Sequence, residues 1–114
     1  MLINATTLSV EDIPNFVSHF DGICYPAHID RQSNGIISVL GTFPSTPYFS
    51  CVELHDNKNR DEYIQKYDLQ NKKFIVSSDA HYLTQMRDKE NYFLLPDNLC
   101  DDNKIIDALF EHLR

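Results

Sequence analysis

Two side chains suited to holding a metal ion stand two residues apart in Ser77-Ser78-Asp79-Ala80-His81. The apolar run Phe74-Ile75-Val76 precedes them. Alternate side chains of an extended chain share a face, so Asp79 and His81 are predicted to leave a strand end on the same side. A third candidate is His28, in Pro26-Ala27-His28-Ile29-Asp30-Arg31, which follows a second strand-like run. Imidazole nitrogen with carboxylate oxygen suits zinc, iron or manganese, whereas an oxygen-only magnesium or calcium site would not choose two histidines. Three ligands leave a metal with an open position, where bound water loses a proton near neutral pH and can attack phosphorus or carbon. A plainer use is also open: D-x-H is short enough to arise by chance, and an Asp/His pair at a strand end can simply be hydrogen-bonded.

Arg31 and Ser33 sit just ahead of a predicted helix. A guanidinium beside free backbone N–H groups makes a phosphate site, and the same geometry serves equally for a Ser33 cap and an Arg31 surface ion pair. Glu53 and His55 lie near the end of another predicted strand and are candidates for supporting the metal ligands. His55 is also open to a phosphate contact or a loop role. His19 and His112 fall on predicted helix surfaces. Cys24 lies close to His28, but it is embedded in a predicted strand, where a buried thiol is the expectation. The chain has no G-x-S-x-G, Walker A or G-x-G-x-x-G sequence.

Alternating strand-like and helix-like segments must position these residues. Ile13, Phe16, Val17 and Phe20 make one helical stripe starting near Asp12 and ended by Asp21-Gly22. Strands are predicted at Ile23–Tyr25, Tyr48–Leu54, Phe74–Val76 and Tyr92–Leu95. Helices are predicted at Ser33–Leu40 with Gly41 as its cap, at about Asp61–Tyr67 with Tyr63, Ile64 and Tyr67 inward, and from about Asp102 to Leu113. In that last helix Ile105, Ile106, Leu109, Phe110 and Leu113 share a face. This order implies an α/β fold with a mainly parallel sheet, in which sites form beyond the carboxyl ends of the strands.

With 114 residues, 42% hydrophobic and 24% charged, the sequence reads as one folded domain spanning 1–114. A net charge of −7 does not favour direct DNA binding. Three dispersed cysteines without C-x-x-C, and no apolar run of membrane-spanning length, make a cytoplasmic protein without membrane contact the expectation.

The segments Gly22–Arg31, Ile36–Gly41, Cys51–Leu54 and Ser77–His81, in this order and spacing, resemble the polymerase and histidinol phosphatase (PHP) superfamily of metal-dependent phosphoesterases. The resemblance covers roughly the whole chain. It implies a distorted (β/α)7 barrel with up to three metal ions at the strand carboxyl ends. It further implies that Asp79 and His81 are the last metal-binding motif, that His28 shares an ion with His81, and that Arg31 contacts the substrate phosphate.

The family's opening H-x-H motif and bridging Glu have no counterpart here, since the histidines stand at 19, 28, 55, 81 and 112. The expectation is therefore the C-terminal half of a PHP-type barrel, either a piece of a longer enzyme or a half-barrel completed by a partner. Alone it would bind a divalent ion (Zn, Mn or Fe) weakly, hydrolyse negligibly and contain no catalytic residue of its own. A phosphorylated small molecule or nucleotide would be the substrate of the complete hydrolase. The alternative is a non-catalytic interaction domain derived from the same fold, with a conceivable link to replication. In either case the exposed sheet edges would promote homo-oligomer formation.

Overall fold

In the computed structural model, which describes residues 6–114, the elements run α1 (Asp12–Ser18), α2 (Ile36–Leu40), β1 (Cys51–Leu54), α3 (Arg60–Tyr67), β2 (Lys73–Val76) and α4 (Asp102–Leu113). Short 3-10 turns cover Asn57–Asn59 and Leu83–Gln85. Cys51, Val52 and Leu54 of β1 have no exposed surface, which makes this strand the centre of the core. It pairs in parallel with β2, Cys51 opposite Lys73 and Leu54 opposite Val76. Parallel strands need a crossover, and α3 supplies it. Tyr63, Ile64 and Tyr67 on α3 pack on a core of Ile29, Ile37, Val52, Leu54 and Leu69, as the helical spacing predicts. The architecture is α/β with a small parallel sheet, two-stranded among the described residues.

The chain before α2 takes the other edge of β1 without forming a regular strand. The Glu53 N–H donates to the Pro26 carbonyl at 3.0 Å, and the Ile29 N–H donates to the Glu53 carbonyl at 2.9 Å. A regular parallel ladder would return two residues after Pro26. Here it returns after three, so His28 is an extra, bulged residue. Its φ of +29° is the departure that the bulge requires, and its N–H, released from the ladder, donates to the Glu53 carboxylate at 3.1 Å. The predicted strand Ile23–Tyr25 is thus corrected to an extended arm.

Two further expectations change. The helix expected from Ser33 begins at Ile36, because the Ser38 hydroxyl ties back to both the N–H and the carbonyl of Gly35 and fixes the first turn there. Gly41 closes it in the left-handed region, as expected. Tyr92–Leu95 forms no strand: Tyr92 and Leu94 are 73% and 84% exposed, and a cleft of about 440 Å³ separates Glu90–Phe93 from Phe74–Val76. The strand pattern is present, but the segment makes no ladder with β2.

Helices α1 and α4 match their expected boundaries closely, but their apolar stripes find little cover. Phe16 and Phe20 stack at 5.5 Å yet are mostly exposed, and on α4 only Leu113 is buried while Ile105 and Ile106 stand open. The accessible surface of 8999 Å² exceeds the roughly 6,400 Å² expected for a folded monomer of 13.3 kDa. The radius of gyration, 15.4 Å, likewise exceeds the expected value of about 13 Å. Tight packing is therefore confined to the β1–α3–β2 unit and the arm beside it.

Leu54→Ala is expected to cost about 2–5 kcal/mol, because a fully buried side chain leaves both its transfer energy and a cavity behind. Exposed Leu83→Ala should change stability by less than about 0.5 kcal/mol. Urea denaturation of the two variants checks the contrast.

Candidate functional site

Three loops meet beyond the carboxyl ends of β1 and β2: the His28–Arg31 turn, the His55–Asn59 segment and the Ser77–His81 segment. Asp30 joins the first two. Its carboxylate accepts the backbone N–H groups of His55 at 2.6 Å and Asp56 at 3.0 Å, and the Asn59 side-chain amide at 2.8 Å. The end of β1 thus finds partners for its N–H groups, and the His28–Arg31 turn is pinned over it. Partial burial pushes the Asp30 carboxyl up, but the donors from His55, Asn59 and Asp56 outweigh it and hold the group below its ordinary value.

The turn itself is closed by the Arg31 N–H donating to the His28 carbonyl at 3.0 Å. Gly35 packs directly against it: a Cβ there would lie 3.1 Å from the His28 carbonyl oxygen and 3.3 Å from that of Arg31. Glycine at this position lets the start of α2 approach the turn.

Asp79 occupies the opposite side. Its φ of +50° places it, like His28, in the left-handed region, which Asp, His and Asn enter more readily than other non-glycine residues. Such positions cost on the order of 1–3 kcal/mol and concentrate at functional sites. Arg31 donates from Nη1 to Asp79 Oδ2 at 2.6 Å, a short charge-assisted hydrogen bond. His28 Nε2 stands 3.8 Å from the same oxygen, beyond hydrogen-bonding reach. Two donors on one ion, each about 2.1 Å from it, would be about 3.0–3.4 Å apart, so the His28–Asp79 gap is close to a shared-ion spacing.

His81 lies at the exposed rim. Its Nδ1 is 2.8 Å from the Asp79 carbonyl oxygen, a contact in which Nδ1 carries the proton, and in the neutral ring Nε2 then keeps its lone pair. That is the tautomer of a metal-binding imidazole. Among the described residues, however, no group of three or more His, Cys, Asp or Glu side chains converges tightly enough to hold a metal ion. The structure brings His28 and Asp79 together, with Arg31 on the shared oxygen and His81 beside them.

Glu53 reaches this cluster by holding the His28 N–H, whereas His55 lines the adjoining pocket and pairs with Arg87, which donates from Nη1 to the His55 carbonyl at 2.6 Å and places Nη2 3.2 Å from His55 Nε2. Among the described residues, His28 Nδ1 and His55 Nδ1 are the buried side-chain nitrogen or oxygen atoms that lack a hydrogen-bond partner. Ser33 is exposed and lies outside the pocket lined by Arg31, His55, Asp79, His81 and Arg87; Gly35, not Ser33, stands at the head of α2. The Cys24 thiol is half-buried, and burial pushes its pKa up, so a reactive thiolate is disfavoured.

Sequence reasoning missed Asp30 and Arg87. Asp30 belongs to no motif of its own, and its donors come from residues 25 to 29 positions away. Arg87 sits in a polar stretch without periodicity, and it contacts His55 across 32 residues. Comparison with protein-family models, curated proteins and solved structures finds no match to this chain. No helix among the described residues is long and apolar enough to cross a membrane.

The depressed pKa of Asp30 has a definite sign. Its stabilising contribution is fully present above the unfolded-state value of about 3.9 and is lost as pH falls through the lower folded-state value. Asp30→Asn should therefore lower stability near neutrality and flatten the decline on acidification below pH about 4. Urea midpoints measured from neutral to acidic pH, wild type against variant, check both effects.

Proposed function

We propose that this chain is the C-terminal portion of a PHP-type metal-dependent phosphoesterase, contributing His28, Asp79 and His81 to a divalent-metal site completed by residues from elsewhere. The observation that carries the reading is the convergence, at the carboxyl end of a parallel strand pair, of His28 and Asp79 at 3.8 Å with Arg31 on the same carboxylate. The donor set fits zinc, manganese or iron: a half-buried His28 whose Nε2 faces the Asp79 carboxylate, that carboxylate, and a rim imidazole whose Nδ1 is taken by the Asp79 carbonyl. When bound, such a metal would supply an ionised water and neutralise charge on the phosphoryl oxygens.

The chain's own residues have separate tasks. Glu53 fixes the His28 backbone, and Asp30 fixes the turn that carries both His28 and Arg31. Arg31 compensates Asp79 here and would turn to the substrate phosphate once an ion takes that carboxylate. Two or three ligands do not fix a polynuclear centre, so the isolated chain binds metal weakly and hydrolyses phosphate esters negligibly.

Isothermal titration in phosphate-free buffer is expected to show weak binding of about one zinc or manganese ion. His28→Ala and Asp79→Asn should weaken it at least tenfold while keeping the wild-type circular dichroism spectrum. Metal binding unaffected by both substitutions would contradict the assignment.

The surface excess favours a second reading, a non-catalytic domain that assembles with another chain or with itself. The additional area, roughly 2,500 Å² over the expectation for a 13.3 kDa monomer, is of the order that obligate interfaces bury. Phe20, Val39, Leu83 and Leu94 are all more than 70% exposed, which fits such a partner surface. Light scattering on a concentration series should report self-association, and a monodisperse monomer at the highest concentration would count against it.

A further inference from the structure

A groove of about 640 Å³ lies where the C-terminal ends of α1 and α4 come together. Phe20, Ile106 and Phe110 supply its apolar surface, and Asp21, Asp107 and Glu111 line it with carboxylates. Phe20 is 73% exposed and Ile106 51%, so the apolar surface stands open. Among the described residues none of the three carboxylates makes an ion pair. Asp107 and Glu111 stand four residues apart on α4, a like-charge spacing that destabilises a helix on its own. Arg114, the base that lines the groove, is used otherwise: its Nη2 donates to the Asp21 carbonyl at 2.9 Å, and its guanidinium carbon lies over the Phe110 ring, 5.9 Å from the centre. The helix ends add partial negative charge to the same place.

We propose that this groove docks a cationic amphipathic helix of a partner protein, with apolar side chains on Phe20, Ile106 and Phe110 and Lys or Arg side chains on Asp21, Asp107 and Glu111. The unpaired carboxylates select the sign of the partner, and a guest cation relieves the Asp107–Glu111 repulsion. The contact of Arg114 with Phe110 is one that a guest Lys or Arg would repeat on the neighbouring aromatic surface. No strand edge borders the groove, so an extended peptide would gain no backbone ladder, whereas a helix arrives with its backbone satisfied and lays one face into it. A second copy of this chain is a poor occupant: a two-fold contact through the groove sets Asp21, Asp107 and Glu111 against their own equivalents. The chain's net charge of −7 adds long-range attraction for a basic partner. The proposal goes beyond the metal-site reading and does not depend on it.

The test is nitrogen–proton NMR of the full chain, titrated with three blocked peptides of about 15 residues. One carries Leu and Lys at helical spacing, one has the same composition scrambled so that no apolar face forms, and one has Glu in place of every Lys. Saturable shifts centred on Phe20, Asp21, Ile106, Asp107, Phe110 and Glu111 are expected with the first peptide, at least tenfold tighter than with the scrambled one and weakening as salt rises. Asp107→Asn combined with Glu111→Gln should weaken binding at least tenfold, and Ile106→Ser should weaken it without a change of charge. All three side chains are exposed, so the circular dichroism spectrum should stay that of the wild type. Asp61→Asn combined with Glu62→Gln, an equal change of charge on exposed positions of α3, should leave the affinity within twofold. Equal binding of the scrambled or the acidic peptide, shifts located elsewhere, or the same loss in the α3 variant would overturn the proposal. Zinc titration of these variants should match the wild type, so this inference and the metal assignment fail separately.

Discussion

The structure depends on how Glu53 is used. Its N–H and carbonyl both leave β1 on the side opposite β2, where they hold Pro26 and Ile29, while its carboxylate takes the N–H of the intervening His28. One residue thereby satisfies both the ladder and the break in the ladder. A fully buried strand cannot leave backbone polar groups unpaired, so the arm must lie along β1 and the bulge must fall at His28. From there the path is short: Ile29 enters the core at 1% exposure, Asp30 turns back onto the end of β1, and Arg31 is delivered to Asp79. The candidate site is a consequence of pairing the central strand on both edges.

Much of this was legible in the sequence, and the legible parts have local causes. The apolar cores of β1 and β2, the stripe on α3 and the start of α4 follow from periodicity and capping, because the residues responsible are neighbours in sequence, although the strand expected from Tyr48 begins only at Cys51. The Asp101 side chain, for example, accepts the Asn103 N–H two residues on. The position of Asp79 and His81 just past β2 was legible for the same reason, whereas the strand expected before His28 does not form. What failed was long-range or depended on what covers a segment. The bulge at His28 is set by Glu53, the anchoring of Asp30 by residues beyond β1, and the position of Arg87 by His55. Tyr92–Leu95 has a strand's composition, yet composition does not say whether an edge is there to receive it.

The same distinction explains the contrast between core and surface. Around β1 and α3, local propensity, burial and hydrogen bonding agree. On α1, α4 and the Tyr92–Leu95 segment, the apolar pattern is present but its cover is not, and Phe20, Tyr92 and Leu94 face solvent. Left-handed backbone occurs at Asp21, His28, Asn34, Asp68 and Asp79, and of these His28 and Asp79 face each other at the site, tied down by the Glu53 and Arg31 hydrogen bonds. A packed scaffold thus carries two chemically capable residues in left-handed conformations, flanked by elements whose apolar faces lie open.

The most direct test of that account is where a divalent ion settles. Substoichiometric manganese added to isotopically labelled protein broadens the NMR signals of nuclei near the ion and leaves the rest sharp. Broadening centred on His28, Asp79 and His81, spreading to Arg31 and His55, is the result that the account predicts. Broadening confined to the acidic stretch Asp97–Asp102, or spread evenly over the acidic surface, would contradict it.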